Sequence, residues 1–180
     1  DESYEVIKND IEKSISIFKN ELGKNSKFFS YPFGEYSLKF KSLIQSLGFR
    51  YAFGQHSGVI DETKDLYELP RFPINEKYGE IKRFTSLTRT LPFKYKKIYP
   101  EEKYLLQIKN PPEVKIEFYE NIKNLKSLSC YSNEGDKWRQ SDIKFDNANT
   151  LLININEKFV GERGRINCSL RDPSGFWRWL

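Results

Sequence analysis

Phe28-Phe29-Ser30-Tyr31-Pro32-Phe33-Gly34-Glu35-Tyr36-Ser37 reads as a short buried strand that is broken by Pro32 and Gly34 and followed by a helix. Proline fixes one torsion and lacks a donor, and glycine takes torsions other residues avoid, so the chain turns here. Upstream, Ile7, Ile11, Ile15, Phe18 and Leu22 recur at spacings of three and four, predicting a helix over 3–22 with one apolar stripe. Gly23 suits the left-handed position that ends it. Downstream, Leu38, Leu43, Ile44 and Leu47 predict a second helix over 36–47, stopped by Gly48. A strand over 49–53 follows, then a polar loop, then Leu69-Pro70-Arg71-Phe72-Pro73-Ile74, extended because each proline biases its predecessor away from helix. A third helix is expected over 78–90, with Ile81, Phe84, Leu87 and Leu91 on one face. Helices and strands alternate as in an α/β layered or barrel fold. Three strands are too few to close a barrel.

The pattern changes after Pro92. Short strands are expected over 104–108, 114–119, 125–131, 143–145, 151–155, 158–160 and 165–170. Val114, Ile116 and Phe118 alternate, as do Leu151, Ile153 and Ile155. Turns fall at Asn110-Pro111-Pro112, Asn133-Glu134-Gly135-Asp136 and Asp172-Pro173-Ser174-Gly175. Strands at this spacing read as a β-sandwich. The expected organisation is therefore α/β in residues 1–93 and all-β, sandwich-like, in residues 94–180.

The 180 residues carry a net charge of +5, with Lys and Arg interspersed among Asp and Glu. No basic stretch is long enough to track a phosphate backbone, so nucleic acid is not an expected partner. No run approaches the ~18 apolar residues of a membrane span. Aromatic residues make up 16% of the chain, and ring surface serves both cores and sugar-binding grooves. Cys130 and Cys168 both lie in strand segments, where either a bridge or two buried thiols would be accommodated. Asp1 leads directly into a helix without an initiator Met, so further sequence is expected before residue 1. Neither cytoplasm nor an extracytoplasmic compartment is favoured.

The motif around Tyr31-Pro32-Phe33-Gly34-Glu35, followed in order by Phe53-Gly54-Gln55-His56-Ser57-Gly58 and Leu69-Pro70-Arg71-Phe72-Pro73, resembles the bacterial polysaccharide deacetylase family, the NodB-homology domain of carbohydrate esterase family four. The resemblance covers residues 1 to about 92. It implies that they are the C-terminal part of a (β/α) barrel in which the aromatic-Pro-aromatic-Gly turn walls a substrate groove. The implied activity is metal-dependent hydrolysis of N- or O-acetyl groups on a polysaccharide. In the family an Asp and two His hold a divalent metal, usually zinc, beside an Asp general base. Those motifs are absent here and His56 is the only histidine, so zinc is expected on the full-length protein, not on this chain, and the chain alone is expected to be inactive.

The chain departs from the family at three places. Ser30 stands where an Arg commonly opens the motif, and Arg71 is expected to supply that guanidinium and aim the catalytic Asp. Phe33 stands where a Tyr is customary, which removes a hydroxyl but keeps the backbone N–H for an oxyanion. No late Leu-x-x-His segment is present, leaving His56 as the candidate general acid. The candidate site is thus His56 and Arg71 for chemistry, and Tyr31, Pro32, Phe33, Gly34 and Glu35 for substrate, with no metal ligand. Trp177 and Trp179 are read with one ring toward the core and the other outward. The competing function is a non-catalytic carbohydrate-binding or scaffold fragment.

Overall fold

The computed structural model describes residues 2–119 and 124–180. Helix α1 spans Glu2–Leu22, strand β1 Phe28–Ser30, helix α2 Leu38–Ser46 and strand β2 Tyr51–Phe53. β1 and β2 pair in parallel, Ser30 opposite Phe53, and no closed barrel is present among the described residues. Ser37 starts α2 by accepting a hydrogen bond from the Phe40 N–H, as an N-cap should. Ile11, Tyr31, Leu43, Ile44, Phe49 and Ala52 form the first core.

The apolar stripe of α1 is only partly used: Ile11 is buried, while Ile7 and Leu22 are exposed. The mismatch is one of length. Twenty-one helical residues span about 31 Å, against about 10 Å for three-residue strands. The third helix, α3, is shorter than expected at Ile81–Leu87, and the 69–74 segment makes one bridge, Leu69 to Phe53, rather than a strand.

The rest of the chain is antiparallel sheet. Strands β3 (Lys97–Tyr99), β4 (Val114–Glu117), β5 (Ser129–Ser132), β6 (Arg139–Gln140), β7 (Asp142–Asn147), β8 (Thr150–Asn154), β9 (Ile166–Arg171) and β10 (Trp177–Trp179) form two four-stranded sheets, ordered β3-β4-β8-β7 and β10-β9-β5-β6. Val114, Ile116, Leu151 and Ile153 from one sheet and Cys130, Cys168 and Leu170 from the other share one core, which Phe93 joins. Cys130 lies directly opposite Cys168 on β5 and β9, and the two are bonded as a disulfide.

Several strand expectations are corrected. Residues 104–108 form no strand: Tyr104 and Ile108 are 70% and 90% exposed, so the apolar run has no face to bury. Residues 158–160 form none either, because the Phe159 N–H and carbonyl are both satisfied by the Asn110 side chain, at 2.9 and 2.8 Å. The 125–131 run splits into a 3-10 turn and β5. Trp177 and Trp179 do not point to opposite sides. They stand opposite Arg171 and Ser169, and residues two apart on a strand share one face.

Candidate functional site

The parallel pair β1-β2 brings the two loops that follow its strands together at one end. The Tyr31 N–H donates to the Phe53 carbonyl at 3.1 Å, extending the pairing one residue past β1. The chain then tightens: Gly34 N–H donates to the Tyr31 carbonyl and Glu35 N–H to the Pro32 carbonyl. Phe33 has φ 56° and Gly34 φ 77°, both left-handed. A Cβ on Gly34 would overlap the backbone N and Cβ of Gln55, so glycine is required for the turn to rest on the loop after β2. Phe33 has no such need of its torsion, and a bulky residue there marks local strain.

The turn displays its side chains unequally. Pro32, Phe33 and Glu35 are exposed, Phe33 by 73%, and Gly34 is half-buried. Tyr31 is 1% exposed, so it does not line the surface as expected for a substrate contact. Its hydroxyl donates to the Tyr67 carbonyl and its ring stacks on Tyr36 at 4.8 Å. Burial, with Glu68 and Asp65 nearby, raises its pKa, so the hydroxyl stays protonated and donating. Tyr31 supports the turn from beneath.

Arg163 was not legible as part of this site. Its guanidinium pairs with the Glu35 carboxylate and lies 4.9 Å from the centre of the Phe33 ring, so the loop before β9 reaches the motif turn. Beneath the turn, Lys41 Nζ contacts Glu68 at 2.6 Å and Asp65 at 2.9 Å. Burial works against the Lys41 charge, but hydrogen bonds to Glu68 and Asp65 outweigh it and raise the pKa. Burial, with Glu68 adding a hydrogen bond, likewise raises the pKa of Tyr36. Neither contact has a local sequence signature, because the partners come from separate elements.

His56 and Arg71 lie on adjacent backbone: the Arg71 N–H donates to the His56 carbonyl at 2.9 Å. The Nδ1 edge of the imidazole overhangs Gly54, where an added Cβ would come within 2.8 Å. Desolvation pushes the imidazole pKa down to about 4, with Lys103 and Lys64 reinforcing and Glu68 opposing. The residue stays open to solvent, which limits the fall, and its Nδ1 edge lying over Gly54 gives the shift its downward direction. The ring is therefore neutral at neutral pH, suited to a hydrogen bond and poorly suited to delivering a proton. Arg71 Nε is buried without a hydrogen-bond partner among the described residues.

The His56 shift gives a direct test. As the only histidine, it yields a single set of ring resonances, and their titration midpoint is expected below about 6. A midpoint at or above 6.5 would return it to the role of acid. Because the folded pKa lies below the unfolded value of 6.5, its stability contribution is complete above 6.5 and is lost as pH falls towards 4.

The described residues do not fit a catalytic zinc. No group of three His, Cys, Asp or Glu among the described residues is placed to hold a metal, and the two cysteines are consumed by the disulfide. Calorimetric titration of the chain with zinc is expected to show no tight stoichiometric site; one such site would overturn this. A cleft of about 360 Å3 lined by Lys96, Glu117, Phe118, Tyr119, Asn149 and Thr150 shares no residue with the motif turn.

The sequence model of the polysaccharide deacetylase family matches residues 1–52. The match includes Tyr31–Glu35 and stops before His56 and Arg71. No curated protein and no solved structure matches the chain.

Proposed function

We propose that this chain is part of a hydrolase that removes N- or O-linked acetyl groups from a polysaccharide, with the divalent metal held by residues outside these 180. The observation that carries the reading is the family match over residues 1–52, coinciding with a turn that exposes Pro32, Phe33 and Glu35 where β1 and β2 end together. In such folds the chemistry gathers where strand ends and their loops converge. The reading takes residues 1–93 as the C-terminal part of a (β/α) barrel and 94–180 as a sandwich-like domain. Two observations favour it: the parallel β1-β2 pair flanked by α1 and α2, and the core shared by the two antiparallel sheets.

Each candidate then has a part. Phe33 and Pro32 form the groove wall, and the Phe33 N–H is the donor for an oxyanion. Glu35 is anchored by Arg163, which holds the wall against the second half of the chain. His56, neutral, contacts substrate by hydrogen bonding. Arg71 aims the carboxylate of the general base through a two-point pair.

A second reading, in which the chain binds glycan without acting on it, draws on the exposed Phe33 ring of the motif turn. Acetate release separates them. The protein carrying this chain together with the family's Asp and His motifs is incubated with acetylated chitin oligomers or acetylated xylan. Metal-dependent acetate release is expected; glycan binding with no release under any divalent metal would favour the second reading.

A further inference from the structure

Between α3 and the turn joining β9 to β10 lies a shallow, solvent-open cleft of about 350 Å3. Its apolar wall is two rings, Phe176 and Trp177, each 40% exposed. Its polar wall holds two exposed cations, Lys82 and Arg89, and among the described residues no carboxylate lines it. Among the described residues neither cation is in an ion pair, unlike Lys41, Lys94, Lys97 and Lys115, which all are. A third cation stands beside them: the Arg171 guanidinium lies 5.9 Å from the Trp177 ring centre, and its Nε donates to the Gly175 carbonyl.

Both rings are partly covered, and each keeps part of its surface open to the cleft. An exposed indole offers a flat face to the C–H side of a pyranose, which is the common use of such a surface. A neutral sugar would answer the rings and leave the cations unanswered. A nucleic acid would answer the cations, but its affinity comes from a run of phosphate contacts, and three cations around one cleft provide no such track. The position also favours a glycan. Trp179, on the same face of β10 and two residues from Trp177, packs edge-on against Phe72 at 5.7 Å, and Phe72 adjoins Arg71. The Phe72–Trp179 contact thus joins the Arg71 loop to the strand that carries Trp177.

We propose that this cleft binds a carboxylate-bearing sugar residue of a polysaccharide, with Trp177 stacking on the ring and Arg89 and Lys82 pairing with the carboxylate. The inference rests on the reading of the partner as a polysaccharide and adds that the chain is anionic. It names a second contact point, separate from the motif turn.

Calorimetry of the chain with three probes tests it: a hyaluronan octasaccharide, which alternates uronate with N-acetylhexosamine, a neutral N-acetylglucosamine hexamer, and a single-stranded oligonucleotide of equal charge. Hyaluronan is expected to bind tighter than the neutral hexamer by about tenfold or more, with the difference shrinking as salt rises. The double variant Lys82→Ala/Arg89→Ala should abolish that preference while leaving the melting temperature unchanged, since both side chains are exposed. Trp177→Ala should weaken both sugars. The proposal is overturned if hyaluronan does not bind, if it binds no better than the neutral hexamer, if the double variant keeps the preference, or if the oligonucleotide binds tightest. The deacetylase reading stands or falls separately, on acetate release from neutral substrates.

Discussion

Reducing the Cys130–Cys168 bridge is expected to cost about 4 kcal/mol of stability, the loop-closure value for a separation of 38 residues. The two residues face each other across β5 and β9 and are 0% and 4% exposed, at the centre of the core that joins the two antiparallel sheets. Opening the bridge frees the unfolded chain and also leaves two thiols to repack in a filled interior. For a chain of this length the melting temperature should fall by roughly 10 °C. Thermal melts with and without reductant measure it, and the double variant Cys130→Ala/Cys168→Ala serves as a reductant-free control. An unchanged melt in both would show that the sheets hold together without the bridge. Such a bridge also persists best in an oxidising compartment.

The features that local chemistry dictates were legible in the sequence. Pro32, Gly34 and the apolar spacings around them placed the turn, α1, α2 and β2 within a few residues. The alternation at Val114-Ile116 and Leu151-Ile153 placed β4 and β8, because one face of each is buried. Features settled by partners were not legible. Lys97–Tyr99 and Arg139–Gln140 are strands only because β4 and β5 pair with them. Residues 158–160 look like a strand until the distant Asn110 side chain takes their backbone groups. The same holds at the site. The turn could be read from its own residues, but the burial of Tyr31, the His56–Arg71 backbone bond and the Arg163 contact depend on elements distant in sequence.

On the proposed deacetylase reading, and in a protein carrying this chain together with the family's metal-binding motifs, Arg71→Ala is expected to lower turnover by about a hundredfold while leaving the Michaelis constant nearly unchanged. In that reading Ser30 leaves the general base without the Arg that commonly opens the motif, and Arg71 is the cation that takes its place. Arg71 is held by its neighbours: Pro70 is buried, and the Arg71 N–H is fixed on the His56 carbonyl. Its Nε is buried without a partner among the described residues, and an unanswered buried donor costs free energy unless something arrives to accept from it. A carboxylate supplied at that point would satisfy the donor and be aimed by two parallel bonds. Aim matters most in the transition state, so the loss falls on turnover rather than on substrate binding. Arg71→Lys should fail nearly as badly, because an ammonium cannot reproduce the planar fork. Where the pair keeps the base ionised, the acid limb of the pH–rate profile should also move to higher pH in Arg71→Ala, and less in Arg71→Lys, which keeps a positive charge there. Near-normal turnover in both, with the acid limb unmoved, would reduce Arg71 to a loop residue and leave the base aimed by some other group.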